Sequence, residues 1–214
     1  GPAGTRAAEI IVRAGLRPIV VDENPQSGGQ IYRRQPPGFN RPAKALYGME
    51  AGKATRLQAS FDAIREQADY RPSTLVWNIY ETTLFTEKEG VTDEILFDAA
   101  IIAAGATDLV LPFSGWTKAG VFTLGGAQIA LKYQACSIGK RTVFVGTGPL
   151  LYLAAYQYAK AGAEVAAVVD TTSLLTKASA CCGLLTSSST FFKGLYYMWS
   201  LWSSGIPLYH GATP

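Results

Sequence analysis

Residues 141–170 read RTVFVGTGPLLYLAAYQYAKAGAEVAAVVD. A β-branched run delivers the chain to a glycine turn, Gly146–Thr147–Gly148. A long apolar stretch follows, then Gly162, then a second apolar run ending on Asp170. Strand, tight turn, helix, strand and acid in that order predict a dinucleotide-binding unit. Each glycine has a physical task. The first lets the chain turn, the second lets the backbone approach a diphosphate, and the third lets helix and strand pack closely. Amides at the helix start, aided by the helix dipole, face the phosphate oxygens. An acid about 20 residues on accepts hydrogen bonds from a ribose hydroxyl.

The same pattern stands at the beginning of the chain, in GPAGTRAAEIIVRAGLRPIVVD, residues 1–22. Gly1-Pro2 corresponds to Gly148-Pro149, Ala7-Ala8 to Ala154-Ala155, and Ala14-Gly15 to Ala161-Gly162, each offset by 147 residues. Val21-Asp22 corresponds to Val169-Asp170 at an offset of 148. Two such units are far harder to obtain by chance than one. By this symmetry Gly1 and Gly4 are the second and third glycines of the turn. The first glycine and its strand are expected upstream, so the sequence reads as a piece of a longer protein. In the second unit the third glycine position holds Leu151, which sets helix and strand further apart. If a nicotinamide dinucleotide binds there, Asp170 favours NAD over NADP. An acid repels a 2′-phosphate, and no arginine follows in TTSLLTK, residues 171–177. A unit with no nucleotide remains the alternative.

The expected fold class is α/β, with two Rossmann-like dinucleotide-binding domains, the first lacking its opening strand and the second its C-terminal part. Residues 1–112 form one domain and 113–214 the other, joined through the Pro-containing TDLVLPFSGW at 107–116. Residues 31–56 read as an irregular excursion and 57–69 as an amphipathic helix. Residues 74–97 read as two or three antiparallel strands with a turn at 88–90. FDAAIIAAGA, 97–106, reads as a buried strand, and TLGGAQIALKYQAC, 123–136, as a helix. The end of the chain reads as an aromatic-rich helix stopped at Gly205, then a strand over 206–209.

Composition narrows the function. The chain has 214 residues, 48% hydrophobic and 16% charged, enough for a packed core. Net charge is +3 and no Lys/Arg run is longer than a pair such as Arg33-Arg34, so nothing reads as a nucleic-acid surface. Three cysteines, Cys136, Cys181 and Cys182, contain no CxxC and make a poor disulfide framework. The lone histidine, His210, leaves too few ligands for a His/Cys metal site and reads as structural. Reduced thiols and the lack of an uninterrupted apolar span of about 20 residues point to a cytoplasmic protein, with peripheral contact to the inner face of the membrane as the alternative. Phe191, Phe192, Tyr196, Tyr197, Trp199 and Trp202 read as core or subunit contact ahead of membrane contact.

GPAGTRAAE (1–9), VVDENPQSGGQIYR (20–33), FDAAIIAAGA (97–106), TLGGAQIALK (123–132) and VFVGTGPLL (143–151) follow one another as in two-dinucleotide-domain flavoproteins. The sequence resembles the larger subunits of opine oxidases and the FAD-bearing B subunit of hydrogen cyanide synthase. Relatives are the alpha subunits of dye-linked proline dehydrogenase and of heterotetrameric sarcosine oxidase. The resemblance implies FAD on the first unit, with Gly1, Pro2, Ala3 and Gly4 at its pyrophosphate. Asp22, or Glu23 in its place, would hold the ribose. Gly28, Gly29 and Gln30 would line the cofactor further along, and Ala104-Gly105 its closing turn, where Ala104 replaces the usual threonine. Gly146, Gly148, Pro149 and Asp170 would form an NAD-like site. An iron–sulfur segment would lie beyond residue 214. The implied partner is an amino-acid-oxidase-like second subunit, and the implied substrate a small amine or opine oxidised at a C–N bond. Two other readings are an NAD(P)H-dependent flavin reductase, whose disulfide class needs a CxxC, and a non-catalytic nucleotide-binding scaffold.

Overall fold

A computed structural model describes residues 1–110, 112–177, 179 and 188–212, with the backbone alone for 188–190. The chain divides into two compact units, Gly1–Thr107 and Asp108–Pro214.

The first unit opens with helix α1, Pro2–Arg13, which has Pro at its first turn and buries Thr5, Ala8 and Glu9. Glu9 is ion-paired with Arg6 and Arg13. The hydrogen bond from Arg6 and the charges of both arginines hold its carboxyl below the ordinary value, against the opposing effect of burial. Gly15 then takes a φ of +80° and the chain leaves the helix. Strand β1, Ile19–Asp22, is followed by α2, Ala43–Tyr47, and α3, Ala51–Ile64. Strand β2, Asp69–Pro72, returns parallel to β1, with Ile19 opposite Asp69 and Asp22 opposite Pro72. Ala8, Phe61 and Ile64 pack together with Val12, Val20 and Tyr70, so α1 and α3 share one core with the two strands. Strands β3, Leu75–Tyr80, β4, Thr83–Lys88, and β5, Val91–Leu96, form an antiparallel meander. Its second turn, Glu89-Gly90, has positive φ at both residues, the twist a tight hairpin requires.

Three expectations for this unit need correction. The helix assigned to 57–69 begins at Ala51 and ends at Ile64, because Ala54 extends the buried stripe of Leu57, Phe61 and Ile64 by one turn. The excursion at 31–56 is docked rather than irregular throughout. Tyr32, Leu46, Tyr47, Ala54 and Leu57 make a second core, and the Tyr47 hydroxyl donates to the Arg33 carbonyl at 2.6 Å. The strand assigned to 97–106 forms no ladder among the described residues. β1 pairs with β2 alone, so among the described residues no strand lies beside this segment, and Ile101 and Ile102 are exposed.

The second unit begins with helix α4, Leu124–Lys132, capped by Thr123, whose hydroxyl accepts from the Gly126 amide at 3.1 Å. Strands β6, Arg141–Gly146, β7, Glu164–Asp170, and β8, Leu208–His210, run parallel in the order 6-7-8. Helix α5, Pro149–Lys160, connects β6 to β7. Ala154 and Ala155 have no exposed surface, and their size lets the helix sit close to Phe144, Val165 and Val168. Helix α6, Ser188–Ser203, adds Tyr197 and Leu201 to this core. It leaves Phe192, Trp199 and Trp202 exposed, so only one of its faces is core. β8 starts two residues later than the sequence suggested. Cys136 is free and exposed; Cys181 and Cys182 lie outside the described residues.

The fully buried Tyr158 hydroxyl donates to the Ala127 carbonyl at 2.7 Å and joins α5 to α4. Tyr158→Phe removes the donor and strands the acceptor. The expected loss is about 1–3 kcal/mol, read by denaturant unfolding followed with a tryptophan of the second unit. An unchanged midpoint would show that this bond contributes nothing.

Candidate functional site

In the first unit the N-terminus of α1 faces a loop built from two glycines. Gly1 is the N-cap and offers no side-chain cap, and Thr5 makes the first helical bond back to the Gly1 carbonyl at 3.0 Å. The amides of Ala3 and Gly4 therefore stand at the helix start with no intrahelical acceptor. Gly29 packs against Gly1 and Pro2 just before them: a Cβ at Gly29 would lie 2.6 Å from the Gly1 Cα. Gly28 is equally constrained, with a Cβ falling 2.3 Å from the Tyr32 carbonyl oxygen. Both glycines have positive φ, +125° and +62°. Gly4 approaches the 97–106 segment, where its Cβ would meet the Ala103 methyl at 3.4 Å. Ala104 and Gly105 are exposed next to that contact.

Asp22 ends β1 half-buried, and its Oδ1 accepts from the Asn24 amide at 3.0 Å. Its Oδ2 accepts no hydrogen bond among the described residues. Glu23 and Gln30 are exposed. Arg33 donates to the Asn24 side-chain oxygen at 2.8 Å. Arg34 bridges Asp62, Ser27 and the Gln58 carbonyl, which ties the loop to α3. The first unit thus brings Gly1, Pro2, Ala3, Gly4, Gly28 and Gly29 together, with Asp22 at the neighbouring strand end. The Gly29–Gly1 contact is one of bare backbone that a Cβ at Gly29 would break, and helix-start amides without intrahelical acceptors are the groups that suit an anion such as a diphosphate.

The second unit has the same turn and a different acid. Gly146 and Gly148 have φ of +157° and +84°, and Gly148 caps α5 ahead of Pro149. Leu151, at the third glycine position, is buried in the α5 core. Asp170 is 1% exposed. Its Oδ2 receives the Tyr152 hydroxyl at 2.6 Å and the Lys177 ammonium at 2.7 Å, and its Oδ1 receives the Thr172 amide at 2.7 Å. Lys177 also donates to the Tyr152 oxygen at 2.6 Å and to His210 Nδ1 at 2.9 Å. Burial opposes ionisation of Asp170. The hydrogen bonds from Lys177, Tyr152 and the Thr172 amide, with the charge of Lys177, outweigh it and hold the carboxyl below its usual value. Burial, then the Asp170 bond and charge, push the Tyr152 phenol far up. Burial and the nearby Lys177 charge lower His210, against the pull of Asp170.

The sequence marks Asp170 as a site residue but does not join it to Tyr152, Lys177 or His210. The signal within reach was Lys177, the last residue of the TTSLLTK segment, which contains no arginine. A separate cavity of about 340 Å³ opens near the far end of α5, lined by Lys160, Glu164, Ser200 and Ser204 among others. It brings no nucleophile and base together. No group of metal-binding side chains occurs among the described residues, and none of their helices is long and apolar enough to cross a membrane.

Two parallel-stranded units with glycine turns place the chain among the flavoprotein reductase folds. Residues 1–183 match the pyridine nucleotide-disulphide oxidoreductase family, and the chain belongs to that family of flavin-dependent oxidoreductases. It is 39% identical over 181 residues to the A-type subunit of opine oxidase from Rhizobium meliloti, a match that covers 80% of this chain and 34% of the relative. It is 30% identical over 212 residues to the HcnB subunit of hydrogen cyanide synthase from Pseudomonas aeruginosa, covering 99% of this chain and 46% of that one. The chain therefore spans between a third and a half of these relatives. In fold it is similar to L-proline dehydrogenase from P. horikoshii, with TM-score 0.63 and 18% identity over 79% of this chain and 34% of that one. It is also similar to the flavoprotein disulfide reductase RclA from Escherichia coli, with TM-score 0.64 and 17% identity over 100% of this chain and 48% of that one.

The Asp170 cluster makes the second unit acid-sensitive. Lowered His210 and Asp170 both mean that the folded state binds fewer protons than the unfolded one. Their stabilisation is complete above about pH 6.5, the ordinary histidine value, and is lost as pH falls through the lowered folded values. Melting of the second unit should move down on acidification, and His210→Gln should flatten the first part of that fall. Parallel curves for parent and variant would rule His210 out.

Proposed function

We propose that this chain is the nucleotide-binding part of a flavoenzyme subunit that oxidises a C–N bond of an amino acid or opine. The observation that carries the flavin assignment is the close backbone contact of Gly29 with Gly1 at the start of α1, whose first amides have no intrahelical acceptor. Gly1, Pro2, Ala3 and Gly4 would hold the FAD pyrophosphate, and Asp22 the ribose through its uncommitted oxygen. Gly28, Gly29 and Gln30 would line the cofactor, and Ala104-Gly105 would border it. FAD, when bound, would take two electrons from the amine and pass them to an acceptor. The chain's own residues bind and orient; none of those described is placed as a general base.

Similarity to the opine oxidase chain and to HcnB supports the C–N substrate class. Both are subunits by name, which supports a heteromer with an amino-acid-oxidase-like partner. The fold shared with a disulfide reductase favours a second reading, an NAD(P)H-dependent flavin reductase. A dithiol version of it lacks its CxxC in this sequence.

Co-expression of the full-length protein with the product of the adjacent gene, followed by absorption spectroscopy and analysis of released cofactor, tests the reading. The expected product is yellow, releases FAD, and is bleached anaerobically by an opine or amino acid. Gly29→Ala should lower flavin content at least about tenfold, because a Cβ at that position overlaps the Gly1 backbone and φ of +62° is costly for alanine. A colourless parent, or a fully flavinylated Gly29→Ala variant, would overturn the assignment.

A further inference from the structure

We infer that Lys177 is a specificity-determining residue that keeps Asp170 out of the second unit's nucleotide crevice, so that this unit turns away nicotinamide dinucleotides. Three independent features carry this. The first is the commitment of the carboxylate. A ribose diol needs an accepting carboxylate at the tip of the second strand. Asp170 stands there, yet both its oxygens are already bonded, to Tyr152, Lys177 and the Thr172 amide. Its comparison is internal: Asp22, at the equivalent place in the first unit, is half-buried and keeps one oxygen unbonded among the described residues.

The second feature is the mouth of the crevice. The dinucleotide of such a fold lies between the loop after the first strand and the loop after the second. Here those loops are joined by a hydrogen bond between the Thr147 and Thr172 hydroxyls, just beyond the Thr171 amide's 2.9 Å bond to the Gly146 carbonyl, which continues the β6–β7 ladder. The third is Leu151, whose side chain fills the position where a glycine gives a close helix–strand approach.

Lys177 is the removable part. Its side chain is about a quarter exposed, whereas Asp170 is wholly covered. The Lys177 Nζ lies over the Tyr152 ring, 5.1 Å from the ring centroid. A 2′-phosphate gains little from this lysine, because its charge is balanced by Asp170. Both NADH and NADPH are therefore poor ligands, and electrons reach the protein's flavin from a substrate other than a reduced nicotinamide.

The test is equilibrium dialysis of NADH and NADPH against the protein co-expressed with its partner, with flavin content measured on the same sample. The parent should bind either nucleotide more weakly than about 1 mM. Lys177→Met keeps the stem, uncovers Asp170, and should tighten NADH at least about tenfold while leaving NADPH unchanged. A merely structural lysine would give no such gain. Parental binding of either nucleotide below about 0.1 mM overturns the inference. So does a folded Lys177→Met protein with no gain, judged together with Tyr152→Phe/Lys177→Met, which removes both donors to Oδ2. If the variants do not fold, the parental titration alone decides. A protein without flavin sinks the proposed function and leaves this titration valid; a flavin-loaded protein that binds NADH sinks this inference alone.

Discussion

Contact between two backbones without side chains organises the first unit. Gly29 can lie against Gly1 only because Gly29 carries no Cβ: one there would fall 2.6 Å from the Gly1 Cα, whereas a Cβ at Gly1 would meet Gly29 at an ordinary 3.7 Å. That contact sets the loop after β1 against the start of α1 and leaves the helix amides facing outward. It also explains why the loop needs two consecutive glycines with positive φ. Gly28 must pass the Tyr32 carbonyl while Gly29 passes Gly1. Hydrogen bonds then hold what the glycines permit: Arg34 reaches Asp62 and Ser27, and Gln58 donates to the Tyr32 carbonyl at 3.0 Å. The glycine loop is held both by its own bonds, such as Arg34 to Ser27, and by α3 through Gln58 and Asp62.

The second unit repeats the first unit's order of helix, strand and neighbouring parallel strand and uses its parts differently. Its turn glycines are present, but the strand-end acid points inward and acts as a structural hub. Asp170 joins β7 to α5 through Tyr152 and to the following loop through Thr172 and Lys177. His210, at the end of β8, closes the cluster through Lys177. A position that could serve a ligand is occupied by the protein's own donors. The repeat in the sequence therefore records shared topology, and the chemistry of the two strand ends has diverged.

Much of this architecture was legible in the residues. α1, β1, β6, α5 and β7 follow from apolar spacing and glycine punctuation, because those signals are local. β2 was missed because DYRP is short, polar and closed by proline; its strand character comes from β1 beside it. FDAAIIAAGA was read as a strand because its apolar run looks buried. A strand also needs a neighbour, and this segment has none in the described sheet. The aromatic residues of α6 could not be sorted into buried Tyr197 and exposed Trp199 until the partner face on α5 was known. The glycine cradle was visible residue by residue, while the Asp170 cluster was not. It gathers residues 152, 170, 172, 177 and 210 from separate elements, and no periodicity links them.

Energetics favour the closed state of that cluster. Breaking a buried pair by removing one partner costs about 3–5 kcal/mol, a figure that partial exposure of Lys177 reduces. A ribose hydroxyl returning a hydrogen bond to the carboxylate contributes about 1.5–3 kcal/mol. It would first have to displace a donor of equal or greater strength, since the ammonium carries a full charge and a sugar hydroxyl does not. The exchange is unfavourable on charge alone, and the Tyr152 hydrogen bond adds to the imbalance. In the first unit no such exchange is needed, because Asp22 Oδ2 is unbonded among the described residues. Lys177 stands seven residues after Asp170, where the first unit has Gly29 after Asp22, and together with the Tyr152 hydroxyl it commits one acid while the other keeps an oxygen unbonded among the described residues.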